Sequence, residues 1–201
     1  MIDFIAVLNY EHLDNGFFLT TLAKSLKRRE KRGILLHEDS EYTERIIQTG
    51  VMREEATIRC YKDLNHRLVA LLADEGISTI GLNGFQKNLI KKNNDVIEID
   101  FNTLKKLPSE PMILLSSIGL NVMNDKPTPI SIAAIAVSLK SEFDVKMIDL
   151  FSVKENSEIM ANDLPKSVIP KAAKEIFRNN HIPKSFHQFE EEVRIQSPNS
   201  F

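Results

Sequence analysis

Residues 63–90 constrain the fold of this chain more than any other stretch. Four leucines fall on one stripe of a predicted helix: Leu64, Leu68, Leu71 and Leu72. Gly76 follows where a left-handed C-terminal cap is needed, and residues 78–82 then form a predicted strand without a charge. A strand of this composition is typical of one that is covered on both faces in a parallel sheet. The segment therefore predicts a layered α/β protein.

Apolar runs along the rest of the chain repeat the alternation of strand and helix. Strands are predicted at residues 4–8, 33–36, 96–99, 111–115, 144–150 and 192–195. Helices are predicted after a cap at Asp14 or Asn15, and at residues 42–48, 53–73, 103–107, 130–139 and 170–178. Residues 116–129 and 153–165 are predicted as loops. Strand-then-helix units in series predict an α/β fold, namely a three-layer sandwich around a mostly parallel central sheet.

Composition argues against several classes of function. The chain has 201 residues and a net charge of −2, so no overall charge attracts it to nucleic acid or to a membrane. No apolar run approaches the ~20 residues that span a bilayer, and the first residues lack the basic region of a signal peptide. Cys60 is the only cysteine, which excludes an internal disulfide framework and fits a reducing compartment. We therefore expect a cytoplasmic protein whose partner is neither a nucleic acid nor a membrane.

Two clusters of charged residues each allow more than one interpretation. The basic run at residues 27–32 closes a predicted helix, where cations complement the helix dipole, but the same run suits an anion or RNA. His37, Glu38 and Asp39 are adjacent, and three adjacent residues rarely converge on one ion. No metal site is predicted there, and Ser40 or Asp39 is instead suited to cap the following helix.

Ligands of parallel α/β sheets bind at the carboxyl ends of the strands. In this chain the segments that follow predicted strands are residues 9–12, 37–40, 83–87 and 116–121. These segments are where a functional site is expected.

Several stretches in the same order resemble the amino-acid kinase family, most closely the acetylglutamate kinases, including the branch that acts on acylated glutamate in Bacteroidetes. Residues 64–90, LNHRLVALLADEGISTIGLNGFQKNLI, are similar to the family pattern VNKELVALL…GI.A.GL.G.D.NLI. Residues 142–155, EFDVKMIDLFSVKE, resemble FDVTLVYCFEKKGV, and residues 167–176, SVIPKAAKEI, resemble the GMIPKL motif. The resemblance implies an acetylglutamate kinase-like fold that forms a single domain over residues 1–201.

The motifs that carry the family's chemistry are altered. The family has a lysine and glycines after the first strand, and glycines after the second, because phosphoryl transfer needs a cation and close backbone amides. Here Leu8 stands at the lysine position, and Tyr10 and Glu11 stand at the first glycines. The second motif reads HEDS, so Glu38 and Asp39 replace glycines. Like charges at 4 Å repel by ~4 kcal/mol at an effective dielectric near 20, which disfavours ATP here.

Two further functional residues of the family have no counterpart at the aligned positions of this chain. The acidic organiser of the family aligns near residues 127–130, which hold no carboxylate, and Asp125 is the nearest substitute. The substrate-gripping arginine aligns near Val51, with Arg53 as its substitute. The resemblance further implies that the substrate-covering hairpin after residue 90 is absent and that the nucleotide lobe, about residues 125–201, is reduced.

The resemblance and the altered motifs together predict an acetylglutamate kinase-like protein that is catalytically degenerate. It is expected to act as a binding or regulatory partner linked to arginine biosynthesis. The alternative is an active ATP-dependent acylglutamate kinase, with Lys171 as the phosphate cation and Asp125 as the organiser; only then are ATP and Mg²⁺ expected. The candidate ligand-binding residues are Asn9, His37, Ser40, Asn83, Gly84, Asn88 and Lys171. The family also implies a homodimer, and an acylamino acid is the candidate ligand.

Overall fold

The computed structural model describes residues 2–29, 31–153 and 167–201. Its strands are β1 Phe4–Leu8, β2 Gly33–His37, β3 Thr79–Asn83, β4 Ile90–Asn93, β5 Val96–Ile99, β6 Met112–Ser116, β7 Ile118–Asn121, β8 Lys126–Pro129, β9 Ile148–Phe151 and β10 Val193–Gln196. Its α-helices are α1 Gly16–Arg29, α2 Tyr42–Gln48, α3 Arg53–Asp74, α4 Phe101–Lys105, α5 Ile132–Glu142 and α6 Glu175–His181. Short 3₁₀ turns occur at Gln86–Asn88, Pro170–Ala172 and Lys184–Phe186.

The main sheet has six strands in the order β10-β9-β1-β2-β6-β3, and every neighbouring pair is parallel. Side chains of a strand alternate between its two faces, so β1 contributes to two cores. Ile5 and Val7 pack with the apolar face of α5, whereas Phe4, Ala6 and Leu8 pack with α1 and α3. The predicted α/β sandwich around a mostly parallel sheet is thus confirmed.

A second sheet of four strands, ordered β5-β4-β7-β8, was largely missed by the sequence analysis. Only β5 is predicted. Residues 116–129 hold β7 and β8 instead of a loop, and β8 tolerates Pro127 and Pro129 because it is an edge strand of this sheet. β4 reads IKKN, which lacks the apolar alternation of a half-buried strand.

β4 and β5 form an antiparallel hairpin that begins at Ile90. The resemblance implies that the substrate-covering hairpin of the family is absent after residue 90; the structure has the β4–β5 hairpin at this point in the chain. The hairpin is short because Asn94, with a φ of 52°, closes it in a tight turn.

β3 is an edge strand of the main sheet, and its residues are less buried than the prediction of two covered faces implies. It pairs only with β6, Gly81 is exposed, and Ile80 and Leu82 are half-buried. A Cβ on Gly81 would stand 2.3 Å from Oδ1 of Asn65 in α3. The lack of charge in β3 therefore reflects close packing of α3 on one face.

Some predicted element boundaries differ from those observed. Residues 144–147 are not strand, because Asp144 has a φ of 52° and turns the chain after α5. The predicted helix at 170–178 is split, since Ala173 is extended between the Pro170–Ala172 turn and α6. Residues 154–165 of the predicted loop at 153–165 lie outside the described residues.

Asn15 caps α1, because its Oδ1 accepts a hydrogen bond from the Phe18 N–H at 3.0 Å. Within the described ranges, no helix combines the length and the apolar character that crossing a bilayer requires.

Candidate functional site

The carboxyl ends of four neighbouring strands bring several predicted site residues to one edge of the main sheet. Leu8 lies opposite His37, His37 opposite Ser116, and Ser116 opposite Asn83 in the register of β1, β2, β6 and β3. Asn9 directly follows Leu8. The side chains of Asn9, His37, Ser116 and Asn83 are all buried. We call the polar groups at this edge the strand-end cluster.

His37 is fully buried and held in one orientation by two neighbours. Its Nδ1 lies 2.9 Å from the Glu38 carbonyl oxygen, which only accepts, so Nδ1 carries the proton and Nε2 accepts from Asn65 Nδ2 at 3.2 Å. The same Asn65 nitrogen donates to the Leu82 carbonyl at 3.2 Å, which fixes the amide. Burial lowers the pKa of His37 to about 4, although its bond to Glu38 opposes this. The neutral imidazole therefore supplies no cation to this edge.

The far side of the cluster is also satisfied internally. The Ser116 hydroxyl donates to Asn83 Oδ1 at 3.2 Å, and the hydroxyls of Tyr61 and Ser117 are 3.4 Å apart. Gly84 follows β3, where a Cβ would stand 2.4 Å from the Ile118 carbonyl oxygen. Close packing against β7 is therefore sufficient to explain why residue 84 is a glycine.

Ser40 and Asn9 differ in whether their side chains have partners. Ser40 is fully buried, accepts a hydrogen bond from the Tyr42 N–H at 3.2 Å, and contacts Cys60 Sγ at 3.9 Å. Burial raises the pKa of the Cys60 thiol, so Cys60 is not an activated nucleophile. Asn9 is fully buried, yet neither Oδ1 nor Nδ2 has a hydrogen-bond partner among the described residues.

Glu38 ties together the two loops that the resemblance associates with phosphate. Its Oε2 accepts a hydrogen bond from the Tyr10 N–H at 3.3 Å, and its own N–H donates to the Leu8 carbonyl at 3.3 Å. The side chain of Ser185, in the Lys184–Phe186 turn, lies close enough to lower the pKa of the Glu38 carboxyl against the larger effect of burial. The Glu38 carboxylate thus already accepts a hydrogen bond from a backbone N–H of the first loop.

The electrostatics around these loops are acidic. Burial raises the pKa values of Glu38 and Asp39, and the charge of Glu11 raises the pKa of Glu38 further. The pKa of the Tyr10 hydroxyl is raised first by burial and then by nearby carboxylates: Glu41, Asp39, Glu44 and Asp14. A phosphate that approaches these loops would meet like charges.

The remaining predicted site residues lie outside this cluster. Lys171 is exposed, with Nζ 2.5 Å from Glu190 Oε1. Asp125 is exposed in the β7–β8 turn with a φ of 53°, and Asn88 is exposed with a φ of 59°. Arg53, the substitute for the substrate-gripping arginine, pairs with Glu44 at 2.7 Å on the surface.

Sequence reasoning missed Asn65 and Ser185, and it placed Ser116 and Ser117 in the expected site only as part of the segment 116–121. Asn65 had a detectable signal, because it stands beside Leu64 and Leu68 on the buried side of α3. Ser185 had none, because only the tertiary fold brings it to Glu38. The described part of the chain holds no group of three His, Cys, Asp or Glu side chains placed for a metal ion.

Solved structures share this fold at low sequence identity. N-acetylglutamate synthase from Neisseria gonorrhoeae, complexed with coenzyme A and L-arginine, superposes with a TM-score of 0.64 at 13% identity, over 98% of this chain and 56% of that one. An isopentenyl phosphate kinase gives a TM-score of 0.59 at 13% identity, over 74% of this chain and 71% of that one. Aspartate kinase from Synechocystis gives 0.58 at 10% identity, over 74% of this chain and 28% of that one.

These comparisons establish an amino-acid kinase-like fold and leave the activity open. No protein-family model matches the chain. No curated protein sequence matches it either. The chain spans little more than half of the N-acetylglutamate synthase that it resembles over nearly its whole length.

Proposed function

We propose that this chain is an acetylglutamate kinase-like protein that does not transfer phosphoryl groups and that acts as a binding or regulatory partner. The observation that carries the proposal is the bond from the Tyr10 N–H to the Glu38 carboxylate. Phosphoryl transfer relies on backbone amides and cations that neutralise the moving group. In this chain the Tyr10 amide is already hydrogen-bonded to the Glu38 carboxylate.

The lysine position of the resembled motif supports the same proposal. Leu8 is 1% exposed and packs in the core beneath α1 and α3. It can neither reach a phosphate nor carry a charge. Lys171 is the remaining cation of the resembled motifs, and its ammonium group is paired with Glu190 on the surface.

A link to arginine biosynthesis rests on the resemblance to acetylglutamate kinases and on the N-acetylglutamate synthase that shares the fold. That synthase was crystallised with N-acetyl-glutamate in one complex and with L-arginine in another. We propose an acylglutamate as the ligand of this chain and the cytoplasm as its location. We also propose a homodimer formed through α3, as the resemblance implies.

The decisive experiment measures ADP release by the purified chain with Mg-ATP and either N-acetylglutamate or N-succinylglutamate. We expect no release above that seen without acylglutamate. Acylglutamate-dependent release that Lys171→Ala abolishes, while the exposed control Lys174→Ala retains it, would establish the active kinase instead. Thermal-shift titration tests binding separately, because a ligand at 100 times its Kd stabilises by ~2.7 kcal/mol. A shift with an acylglutamate but none with ATP is the expected pattern.

The proposed assembly has its own test. Analytical ultracentrifugation should give about twice the 22.9 kDa mass of one chain. A single species at the monomer mass at micromolar concentration would contradict the homodimer.

A further inference from the structure

A second concave site lies away from the strand-end cluster, between the C-terminal half of α1, the edge strand β10 and the segment that follows β10. Its volume is about 340 Å³. Three arginines line it: Arg28 and Arg29 from the last turn of α1, and Arg194 from β10. We call this site the arginine pocket.

Arg29 is fixed in the pocket without a polar partner. Its guanidinium carbon lies 4.4 Å from the centroid of the Phe4 ring and 4.2 Å from that of Phe201, so the cation is in contact with both rings, which are themselves nearly perpendicular. Among the described residues, no hydrogen bond or ion pair engages its N–H donors. Burial lowers the pKa of Arg29, and the charge of Arg194 lowers it further against an opposing effect of Asp149. A bound anion would offset the free-energy cost of burying the charge of Arg29.

The neighbouring arginines are only partly neutralised. Arg194 Nη1 lies 3.4 Å from Asp149 Oδ1, and that oxygen also accepts from Gln196 Nε2 at 2.5 Å. Arg28 donates to the neutral hydroxyl of Ser25 at 3.0 Å. Asp149 thus forms an ion pair with Arg194 alone, while Arg29 experiences the charges of Asp149 and Asp3 without an ion pair in the described residues.

The basic run left two interpretations open, and the position of Arg194 separates them. Cations in the last turn of α1 would complement the helix dipole. Arg194 belongs to a strand and gains nothing from that dipole, yet it faces the same cavity as Arg28 and Arg29. An adjoining cavity of about 460 Å³ shares Arg28 and adds Lys24 and Lys27. This cationic cluster stands in a chain whose net charge is −2.

We propose that the arginine pocket binds the phosphate group of a small phosphorylated ligand. The planar guanidinium fork matches phosphate in a bidentate geometry, and a pocket of about 340 Å³ suits a small molecule. Single-stranded nucleic acid is a poorer fit, because it needs exposed aromatic faces for its bases. Here Phe4 and Phe201 are buried, with Arg29 in contact with their rings.

Isothermal titration of the full chain with pyrophosphate, without divalent cations and at constant ionic strength, tests the proposal. We expect saturable binding at one site per chain. Arg28→Gln should weaken it about tenfold, because a charge-assisted hydrogen bond is lost. Arg28 suits this test because its one hydrogen bond within the described chain goes to Ser25, so the fold does not depend on it. The matched control is Arg59→Gln, on an exposed position of α3 that is paired with Asp63.

Retention of full affinity by Arg28→Gln, or equal losses in Arg28→Gln and Arg59→Gln, would overturn the proposed location. Absence of saturable pyrophosphate binding by the unmodified chain would overturn the site itself. Binding of a single-stranded oligonucleotide without binding of pyrophosphate would overturn the small ligand in favour of nucleic acid. Unchanged melting temperatures of both variants would confirm that the affinities report on the pocket alone.

Discussion

The backbone N–H of Tyr10 donates a hydrogen bond to the carboxylate of Glu38 at 3.3 Å. By the resemblance to the amino-acid kinases, these residues stand where that family's motifs have glycines. A glycine leaves the amide open to a phosphate, whereas Glu38 binds the amide and adds an anion. The fold is retained because neither residue belongs to the apolar core.

Removing the charge of Glu38 should stabilise the protein at neutral pH. Burial raises the pKa of Glu38 in the folded chain, so between its unfolded pKa and its folded pKa the folded state binds more protons. Stability from this group therefore falls as pH rises through that window. Glu38→Gln keeps an acceptor for the Tyr10 N–H, and we expect a higher free energy of unfolding at pH 7 that converges with the original value near pH 4. Urea unfolding at both pH values measures this difference.

Glu44→Gln serves as a control of opposite sign. The hydrogen bond from Arg53 lowers the pKa of Glu44, so its contribution is present above the unfolded pKa and is lost in acid. Glu44→Gln should destabilise the chain at pH 7, but not below the lowered pKa. Equal effects of the two substitutions at pH 7 would contradict the assignment of Glu38.

His37 should make the protein sensitive to acid. Its folded pKa of about 4 lies below the value near 6.5 expected in the unfolded chain, so the unfolded state takes up more protons between these values. Full stability is thus present above pH 6.5, and about 3 kcal/mol is lost as pH falls to 4. NMR titration of the imidazole should show a neutral ring at pH 5.

His37→Gln should flatten the pH dependence of unfolding between pH 4 and 6.5. The matched control is His66→Gln, at an exposed position of the same helix that carries Asn65. Equal flattening in both variants, or a charged His37 at pH 6, would show that the buried environment does not hold the ring neutral.

Gly84→Ala should destabilise the fold by about 1–3 kcal/mol, the cost of overpacking a closed site. The added Cβ would approach the Ile118 carbonyl oxygen at 2.4 Å and Ile90 Cδ1 at 2.7 Å. Gly16→Ala is the control, since nothing lies within 4 Å of a Cβ there. Chemical unfolding of both variants separates the steric effect from the general gain of replacing glycine. Equal stabilities would mean that β7 can move away from β3.

Asn9 and Asn65 should respond differently to loss of their amides. Asn65→Ala leaves His37 Nε2 and the Leu82 carbonyl without their donor, which costs about 1–3 kcal/mol. Asn9→Ala removes an amide with no partner among the described residues, so we expect a change within about 0.5 kcal/mol or a gain in stability. Equal losses in both variants would indicate that Asn9 has a partner, such as a buried water.

The main sheet could be predicted because its strands are short apolar runs separated by helices with clear stripes. The second sheet could not, since β4 and β8 carry lysines and prolines and are defined by pairing with distant residues. For the same reason the edge position of β3 could not be predicted, because strand order is not encoded in the composition of one strand.

Only those residues of the candidate site that lie at strand ends could be predicted from the sequence. Asn9, His37 and Asn83 follow or end strands of one sheet, so their proximity follows from parallel pairing. The link from Glu38 to Ser185, and the convergence of Arg29 with Arg194, depend on how the C-terminal segment returns to the sheet. Local sequence patterns carry no information on how a distant segment packs back against the sheet.

The strand order also has a consequence for folding kinetics. β1 lies in the middle of the sheet, between β2 and β9, and β9 leads on to β10 at the edge. During synthesis β1 and β2 can pair early, while the other edge of β1 must wait until residues 148–151 have emerged. Closing so long a loop before the sheet is complete gives the chain a high contact order. We therefore expect slow folding, with the open edge of β1 as the surface most exposed to misassociation.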